Sequence, residues 1–283
     1  MPAGAPESAR ASIRSAVTVL SQAGVASPRV DAELLAAHVL GVPRGRLALA
    51  PPFSAVQRER FDTLIAARAS RVPLQYLLGR APFRSLELAV GPGVFIPRPE
   101  TELLVEWGLA VAGVAPLAVD LCSGSGAIAL SVAHELPRST VYAVEQADSA
   151  LVWLRRNVAA IEPRVVVVAG DVTAPTTLST LDGSVDLVLC NPPYVPSGAQ
   201  LEPEVAEHDP AEAVFGGPDG LALIPAIAAR CYRLLRPGGR LGIEHDDTQG
   251  ASVPNVLRAA GFVDVEDRHD LADRPRFAVG RRP

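Results

Sequence analysis

Leu117-Ala118-Val119-Asp120-Leu121-Cys122-Ser123-Gly124-Ser125-Gly126-Ala127-Ile128-Ala129 is the stretch from which the fold reads outward. A short apolar run predicts a strand, a Gly-x-Gly loop ends it, and small apolar residues open a helix at once. Downstream, the same alternation repeats. Strands are predicted at 117–121, 141–145, 165–169, 185–190, 240–244, 263–266 and 276–279, with helices at 127–136, 149–161, 221–235 and 253–260. Near-continuous Val, Leu and Ile in the early strands predict an α/β protein, its parallel sheet covered by helices on both faces. The last two strands lack an intervening helix and predict an antiparallel hairpin.

Upstream, the pattern differs. Residues 9–23, 30–40 and 55–70 carry apolar residues at helical spacing, punctuated by Gly41-Val42-Pro43 and Ala50-Pro51-Pro52. Asp31 and Glu33 fall in a predicted first turn, where acids suit the helix dipole. Residues 83–90 alternate like a strand, with Gly91-Pro92-Gly93 as its turn. The domains expected are a helical, substrate-recognising one over 1–75, a β-hairpin linker over 76–97, and an α/β domain over 98–283. Arg98-Pro99-Glu100-Thr101-Glu102 opens the latter's first helix; Arg98 and Glu100 either orient a ligand or cap that helix.

The Gly-x-Gly loop implies a ligand. Glycines admit close backbone approach, and a helix N-terminus offers unpaired N–H groups. The third glycine of a dinucleotide fingerprint is replaced by Ala129, so a pyrophosphate turn is not encoded. S-adenosylmethionine has no phosphate and fits better. Glu145 ends the second strand, where a carboxylate can accept from ribose hydroxyls, and Asp171 ends the third, placed to meet an adenine amine.

Asn191-Pro192-Pro193-Tyr194 follows the strand at 185–190. A planar amide or amino nitrogen is a weak nucleophile because its lone pair is delocalised. An Asn oxygen and a backbone carbonyl can accept its two N–H bonds, prolines stiffen the loop, and Tyr194 can stack on the flat group. Such a loop catalyses by positioning and electrostatics, without a metal. By itself it does not distinguish a protein amide from the amino group of a nucleic-acid base.

Phe95-Ile96-Pro97-Arg98-Pro99-Glu100-Thr101-Glu102, the glycine loop from Asp120 to Ala129, Asn191-Pro192-Pro193-Tyr194-Val195, the segment Ala213 to Leu221, and Ile243-Glu244-His245 together resemble the protein-(glutamine-N5) methyltransferases that modify peptide-chain release factors. The resemblance spans essentially the whole chain. It implies a class I S-adenosylmethionine-dependent methyltransferase fold with a seven-stranded, mostly parallel sheet. It also implies methyl transfer to the glutamine of the release factor's Gly-Gly-Gln loop. On this basis Cys122, Ser123, Gly124, Ser125, Gly126, Glu145, Asp171, Val172 and Asn191 are expected to bind the cofactor. Asn191, Pro192, Pro193 and Tyr194 are expected to frame the substrate amide. Cys122 stands where relatives often have Gly, and Val172 where relatives can carry an aromatic residue.

Composition narrows the partners. All 26 basic residues are arginine, which removes lysine-based chemistry. Residues 1–100 hold twelve Arg against seven acids, a balance of +5, and residues 101–283 hold fourteen against twenty-four, a balance of -10. So acidic a half is a poor nucleic-acid groove. Cys122, Cys190 and Cys231 are scattered, which predicts free thiols rather than zinc or disulfides. The five histidines lack metal-ligand spacing and read as surface or capping residues; Glu244 with Asp246 and Asp247 reads as solvated charge. Residues 1–8 carry no leader pattern, and no apolar run is long enough to cross a bilayer. A cytoplasmic monomer is expected, with release factors as partner and no membrane or nucleic-acid contact.

Overall fold

The computed structural model describes residues 8–283; the segment 1–7 read above for a leader lies outside them. The chain divides into two compact units.

The first unit comprises residues up to Gly79 together with Glu202–His208. Its helices span Ala9–Gln22, Pro28–Leu40, Ala55–Ala69 and Leu74–Leu78. Leu20, Leu35, Ala36, Phe61 and Ile65 form its core, and Phe53 stacks on Phe61 at 5.0 Å. Ser54 and Gln57 close a reciprocal capping box at the third helix. Asp31 stands in the first turn of the second helix, as expected, and is also buried, accepting from Arg68 Nε at 2.7 Å. Arg68 Nη2 also reaches Glu204 Oε1 at 2.7 Å, and Arg71 Nη2 donates to Glu204 Oε2. Burial opposes ionisation of Glu204, but hydrogen bonds from Arg71 and Arg68 outweigh it and lower its pKa to about 2. A carboxylate remote in sequence is thereby clasped by the helical unit.

The second unit comprises Arg80–Leu201 and Asp209–Pro283. Its hairpin pairs β1 (Arg80–Phe83) with β2 (Leu86–Ala89). The turn lies at Arg84-Ser85, with Arg84 at φ 49°, not at Gly91-Pro92-Gly93 as the alternation predicted. The reason is packing. Phe83, Leu86 and Leu88 all enter the core, which a two-strand ribbon allows and one long strand would not. The hairpin falls within this second unit.

The sheet holds β3 (Leu117–Leu121), β4 (Thr140–Glu145), β5 (Val166–Ala169), β6 (Val185–Cys190), β7 (Leu235–Glu244), β8 (Val263–His269) and β9 (Pro275–Arg281). The strand order is β5-β4-β3-β6-β7-β9-β8. The first five strands pair in parallel, while β9 is antiparallel to both β7 and β8, giving the expected terminal hairpin. β7 begins earlier than predicted because Leu235 pairs with Val185 before a register shift at the Pro237-Gly238-Gly239 irregularity.

Alternate residues feed opposite faces of the sheet. Ala118, Leu187 and Leu189 join one core with the helices Thr101–Val111 and Ala127–Glu135. Val119, Leu121, Val188 and Ile243 join the other, with the helices Ile224–Leu234 and Ser252–Ala259. Burial on both faces explains why these strands lack polar alternation. The order reverses at β3: the chain proceeds to β4 on one side and returns to β6 on the other. In such sheets ligands bind beyond the strand C-termini at that point.

Candidate active site

A cavity of about 190 Å³ opens beyond the C-terminal ends of β3, β4, β5 and β6. Cys122, Ser123, Gly124, Ser125, Glu145, Asp171, Val172, Asn191 and Pro193 line it. Gly126, Pro192 and Tyr194 do not line it; they build its frame. Gly93, Phe95 and Pro97, which follow the hairpin, contribute another wall.

The glycine loop is held from below. Ser123 N donates to Val144 O at 2.9 Å, and Gly126 N to Ser123 O at 2.7 Å. Gly124 has φ 54°, and a Cβ there would meet no atom within 4 Å, so its backbone faces open space. Cys122 has φ 60°, a left-handed conformation that strains any residue but glycine. Asn157, unremarked in the sequence reading, clamps the loop: its Nδ2 donates to Ser125 O and Ala89 O, while its Oδ1 accepts from Ala89 N. A polar residue on an otherwise apolar helical face was its only signal.

Glu145 anchors the loop from the side. Its Oε2 accepts from Gly124 N, and its Oε1 from Gln146 N and Ala147 N, each at 2.8 Å. A carboxylate has roughly four lone-pair positions. Three are occupied, and the remaining one, on Oε2, is available to a ligand hydroxyl. Asp171 Oδ1 accepts from Thr173 N and Oγ1 and shapes the turn after β5. Val172 is 6% exposed and offers an apolar contact. Beneath the loop, Asp120 Oδ2 accepts from Ala129 N at 3.1 Å while its Oδ1 has no partner. Burial pushes the Asp120 pKa up to about 7.

Asn191 is positioned by Thr101, which the sequence offers only as part of the Arg98–Glu102 segment. Its Nδ2 donates to Thr101 Oγ1 at 3.0 Å, and Thr101 is 3% exposed. Nδ2 is thus engaged with the protein, and Asn191, which lines the cavity, keeps its Oδ1 as an acceptor. Arg98 packs over the Phe95 ring at 4.8 Å and donates to Asp209, whose carboxylate is buried. It therefore fastens the segment leading to Pro210, Glu212 and Ala213, which line the cavity.

The rest of the loop rests on a glycine turn. Val195 N donates to Val214 O, Gly216 N to Val195 O, and Ser197 N to Gly217 O. Gln249 Nε2 donates to both Tyr194 O and Asp219 O at 3.0 Å. A Cβ on Gly216 would lie 2.5 Å from Pro193 O, and one on Gly220 2.0 Å from Tyr194 O. Only glycine permits so close an approach.

Tyr194 Oη donates to Glu244 Oε1 at 2.9 Å. Glu244, read above as solvated charge, is 1% exposed, and burial raises its pKa to about 7. His245 is likewise fully buried rather than at the surface; its ring nitrogens face Asp246 O and Asp267 Oδ1, each at 2.8 Å. Both lie at the end of β7, where Tyr194, from the loop after β6, meets Glu244 and Asp267 of β8 meets His245, contacts between distant segments that local polarity does not reveal. All three thiols are free, and no group of three potential ligands is placed to hold a metal among the described residues. No described helix is long and apolar enough to cross a membrane.

The chain is similar to known proteins. The family model "PrmC N-terminal domain" matches residues 12–79, and "Methyltransferase small domain" matches residues 98–212. A release factor glutamine methyltransferase of Mycolicibacterium smegmatis is 53% identical over 277 residues, covering 96% of this chain and 97% of that protein. One of Streptomyces coelicolor is 49% identical over 279 residues, with coverage of 96% and 97%. The crystal structure of a methyltransferase from Pyrococcus furiosus shares the fold, with a TM-score of 0.53 at 15% identity over 70% of this chain and 90% of that one.

Proposed function

This chain belongs to the release factor glutamine methyltransferases, and from that premise we propose that it transfers a methyl group from S-adenosylmethionine to the N5 amide of the glutamine in the Gly-Gly-Gln loop of peptide-chain release factors. The observation that carries this reading is Asn191: it lines the cavity and its Nδ2 is engaged by Thr101, which leaves its Oδ1 as the acceptor it can offer a substrate amide.

The residues present suit the cofactor. Gly124 leaves backbone facing open space, Glu145 Oε2 keeps one acceptor position for a ribose hydroxyl, and Val172, Ile128 and Leu223 offer apolar walls to a purine. Cys122, Ser123, Gly124, Ser125 and Gly126 would hold the amino-acid end, and Asp171 the adenine amine. When bound, S-adenosylmethionine supplies an electrophilic methyl group on a sulfonium.

The chain's own part is positional. Asn191 Oδ1 accepts one N–H of the substrate amide, a carbonyl of the proline pair accepts the other, and the amide plane is fixed toward the cofactor side. Those two bonds increase electron density on nitrogen as it attacks, and the proton is shed after methyl transfer. Tyr194 frames the glutamine, while Pro192 and Pro193 keep the loop from relaxing. The helical unit is the natural platform for the rest of the release factor. The acidic balance of residues 101–283 supports a protein substrate rather than a nucleic acid, and such a substrate is found in the cytoplasm.

Incubation with S-adenosylmethionine and an unmodified release factor, followed by peptide mass spectrometry, tests the reading. One added methyl on the Gly-Gly-Gln glutamine is expected. Its absence from that residue overturns the proposal.

A further inference from the structure

We propose that Glu244 is the positioning residue of this site, a single buried carboxylate that orients both ends of the Asn191–Tyr194 loop. The inference rests on the methyl-transfer reading above.

Three observations meet at this side chain. Tyr194 Oη donates to Glu244 Oε1 at 2.9 Å, which fixes the end of the loop that frames the substrate. Asn191 Nδ2 donates to Thr101 Oγ1 at 3.0 Å, and the Thr101 hydroxyl in turn lies beside the Glu244 carboxyl. Glu244 Oε2 is buried with no hydrogen-bond partner, so the carboxyl keeps acceptor capacity beyond its bond from Tyr194. The chain of contacts runs from Asn191 to Thr101 to Glu244 and back to Tyr194. Glu244 itself does not line the cavity and so acts through the residues it holds.

Direction matters here. An ionised carboxylate only accepts, so it can receive Thr101 and Tyr194 together. Thr101 then points its lone pair at Asn191 Nδ2, which keeps Asn191 Oδ1 turned to the substrate. Once protonated, Glu244 becomes a donor on one oxygen, and the Thr101 hydroxyl loses the charged acceptor that fixes its proton and hence its orientation toward Asn191. The charged groups facing Glu244 are Arg276 from β9, itself paired with Asp270, and Glu100 ahead of the Thr101–Val111 helix; Tyr194 faces it from the loop. Burial raises the Glu244 pKa most, the Thr101 and Tyr194 bonds and Arg276 lower it, and Glu100 raises it, leaving it at about 7. Burial and the neighbouring Glu244 push the Tyr194 hydroxyl well above its ordinary range, so it remains a donor throughout.

The test is steady-state methylation of an unmodified release factor by the full chain and by Glu244→Gln, Glu244→Asp and Tyr194→Phe, with S-adenosylhomocysteine affinity measured by calorimetry on the same preparations. Glu244→Gln is expected to lower kcat about tenfold to a hundredfold while KM and S-adenosylhomocysteine affinity stay within about twofold. The wild-type kcat should rise with pH through neutrality, and this limb should be absent from Glu244→Gln and partly restored in Glu244→Asp. A purely structural carboxyl would instead shift stability and cofactor affinity and leave the pH limb in place. If Glu244→Gln does not fold, Tyr194→Phe takes its place: a kcat loss of about tenfold at unchanged cofactor affinity supports the proposal, and wild-type kcat overturns it. A wild-type protein inactive on release factors sinks the functional reading; an active wild type with a fully active Glu244→Gln sinks this inference alone.

Discussion

Replacing Gly220 by alanine tests whether the glycine turn is the support of the Asn191–Tyr194 loop. Gly220 has φ 75°, and its added Cβ would fall 2.0 Å from Tyr194 O and 2.4 Å from Gln249 Nε2. Two costs arise. The left-handed conformation costs a non-glycine residue about 1–2 kcal/mol. The contact cannot be relieved by rotating a side chain, because one partner is backbone; moving the turn away breaks the Gln249 bonds to Tyr194 O and Asp219 O, each worth about 1 kcal/mol. The sum is about 3–4 kcal/mol. Gly183 provides the control in the same unit: it has φ 74°, and its Cβ would meet nothing within 4 Å, so Gly183→Ala should cost about 1–2 kcal/mol alone. Thermal and urea unfolding of the two variants, run side by side, isolate the contact. With about 2–4 °C per kcal/mol at this size, Gly220→Ala should melt roughly 4–8 °C below Gly183→Ala. It should also lose methylation activity at temperatures where it remains folded, because Tyr194 is displaced. Equal melting temperatures with equal activities would falsify the packing argument.

Three further outcomes are expected. Asp120 has its pKa raised from 3.8 to about 7 by burial, so the unfolded chain releases its proton first and stability falls as pH rises through that window. The ceiling is about 4 kcal/mol; in urea titrations between pH 4 and 7.5, Asp120→Asn should lack this decline, and parallel curves for the two proteins would count against it. Glu204 behaves with the opposite sign. Its pKa is depressed from 4.5 to about 2, so its contribution is present above pH 4.5 and is lost as pH falls toward 2. Amide exchange across Glu202–His208 should accelerate over that range in wild type and be fast already at pH 6 in Glu204→Gln; protection unchanged by the mutation would refute the clasp. Finally, Cys122 lines the cavity whereas Cys190 and Cys231 are fully buried. Alkylation of the native protein should mark Cys122 first, and S-adenosylhomocysteine should slow that reaction about tenfold or more; labelling unaffected by the ligand would place the cofactor elsewhere.

The amino-acid sequence by itself determined the alternating strand and helix plan, because residues buried on both faces of a parallel sheet are mostly apolar and the strands Leu117–Leu121 and Val185–Cys190 are apolar at every position but one each, Asp120 and Asp186. It also determined that Gly124, Glu145, Asp171 and Asn191 follow strand ends, which in this topology is enough to bring them to one cavity. Tertiary structure alone decided what those residues touch. Thr101 lies ninety positions from Asn191 and Glu244 fifty from Tyr194, and no local periodicity encodes a hydrogen bond across such spans. Glu244 and His245 looked solvated because their polarity is local, while they are buried among residues distant in sequence, such as Tyr194 and Asp267. The hairpin turn at Arg84-Ser85 was hidden for a related reason: Gly91-Pro92-Gly93 is the stronger turn signal, but burial of Phe83, Leu86 and Leu88 set the register. Strand identity follows from short-range sequence, whereas the partners of a buried polar group depend on which strands become neighbours.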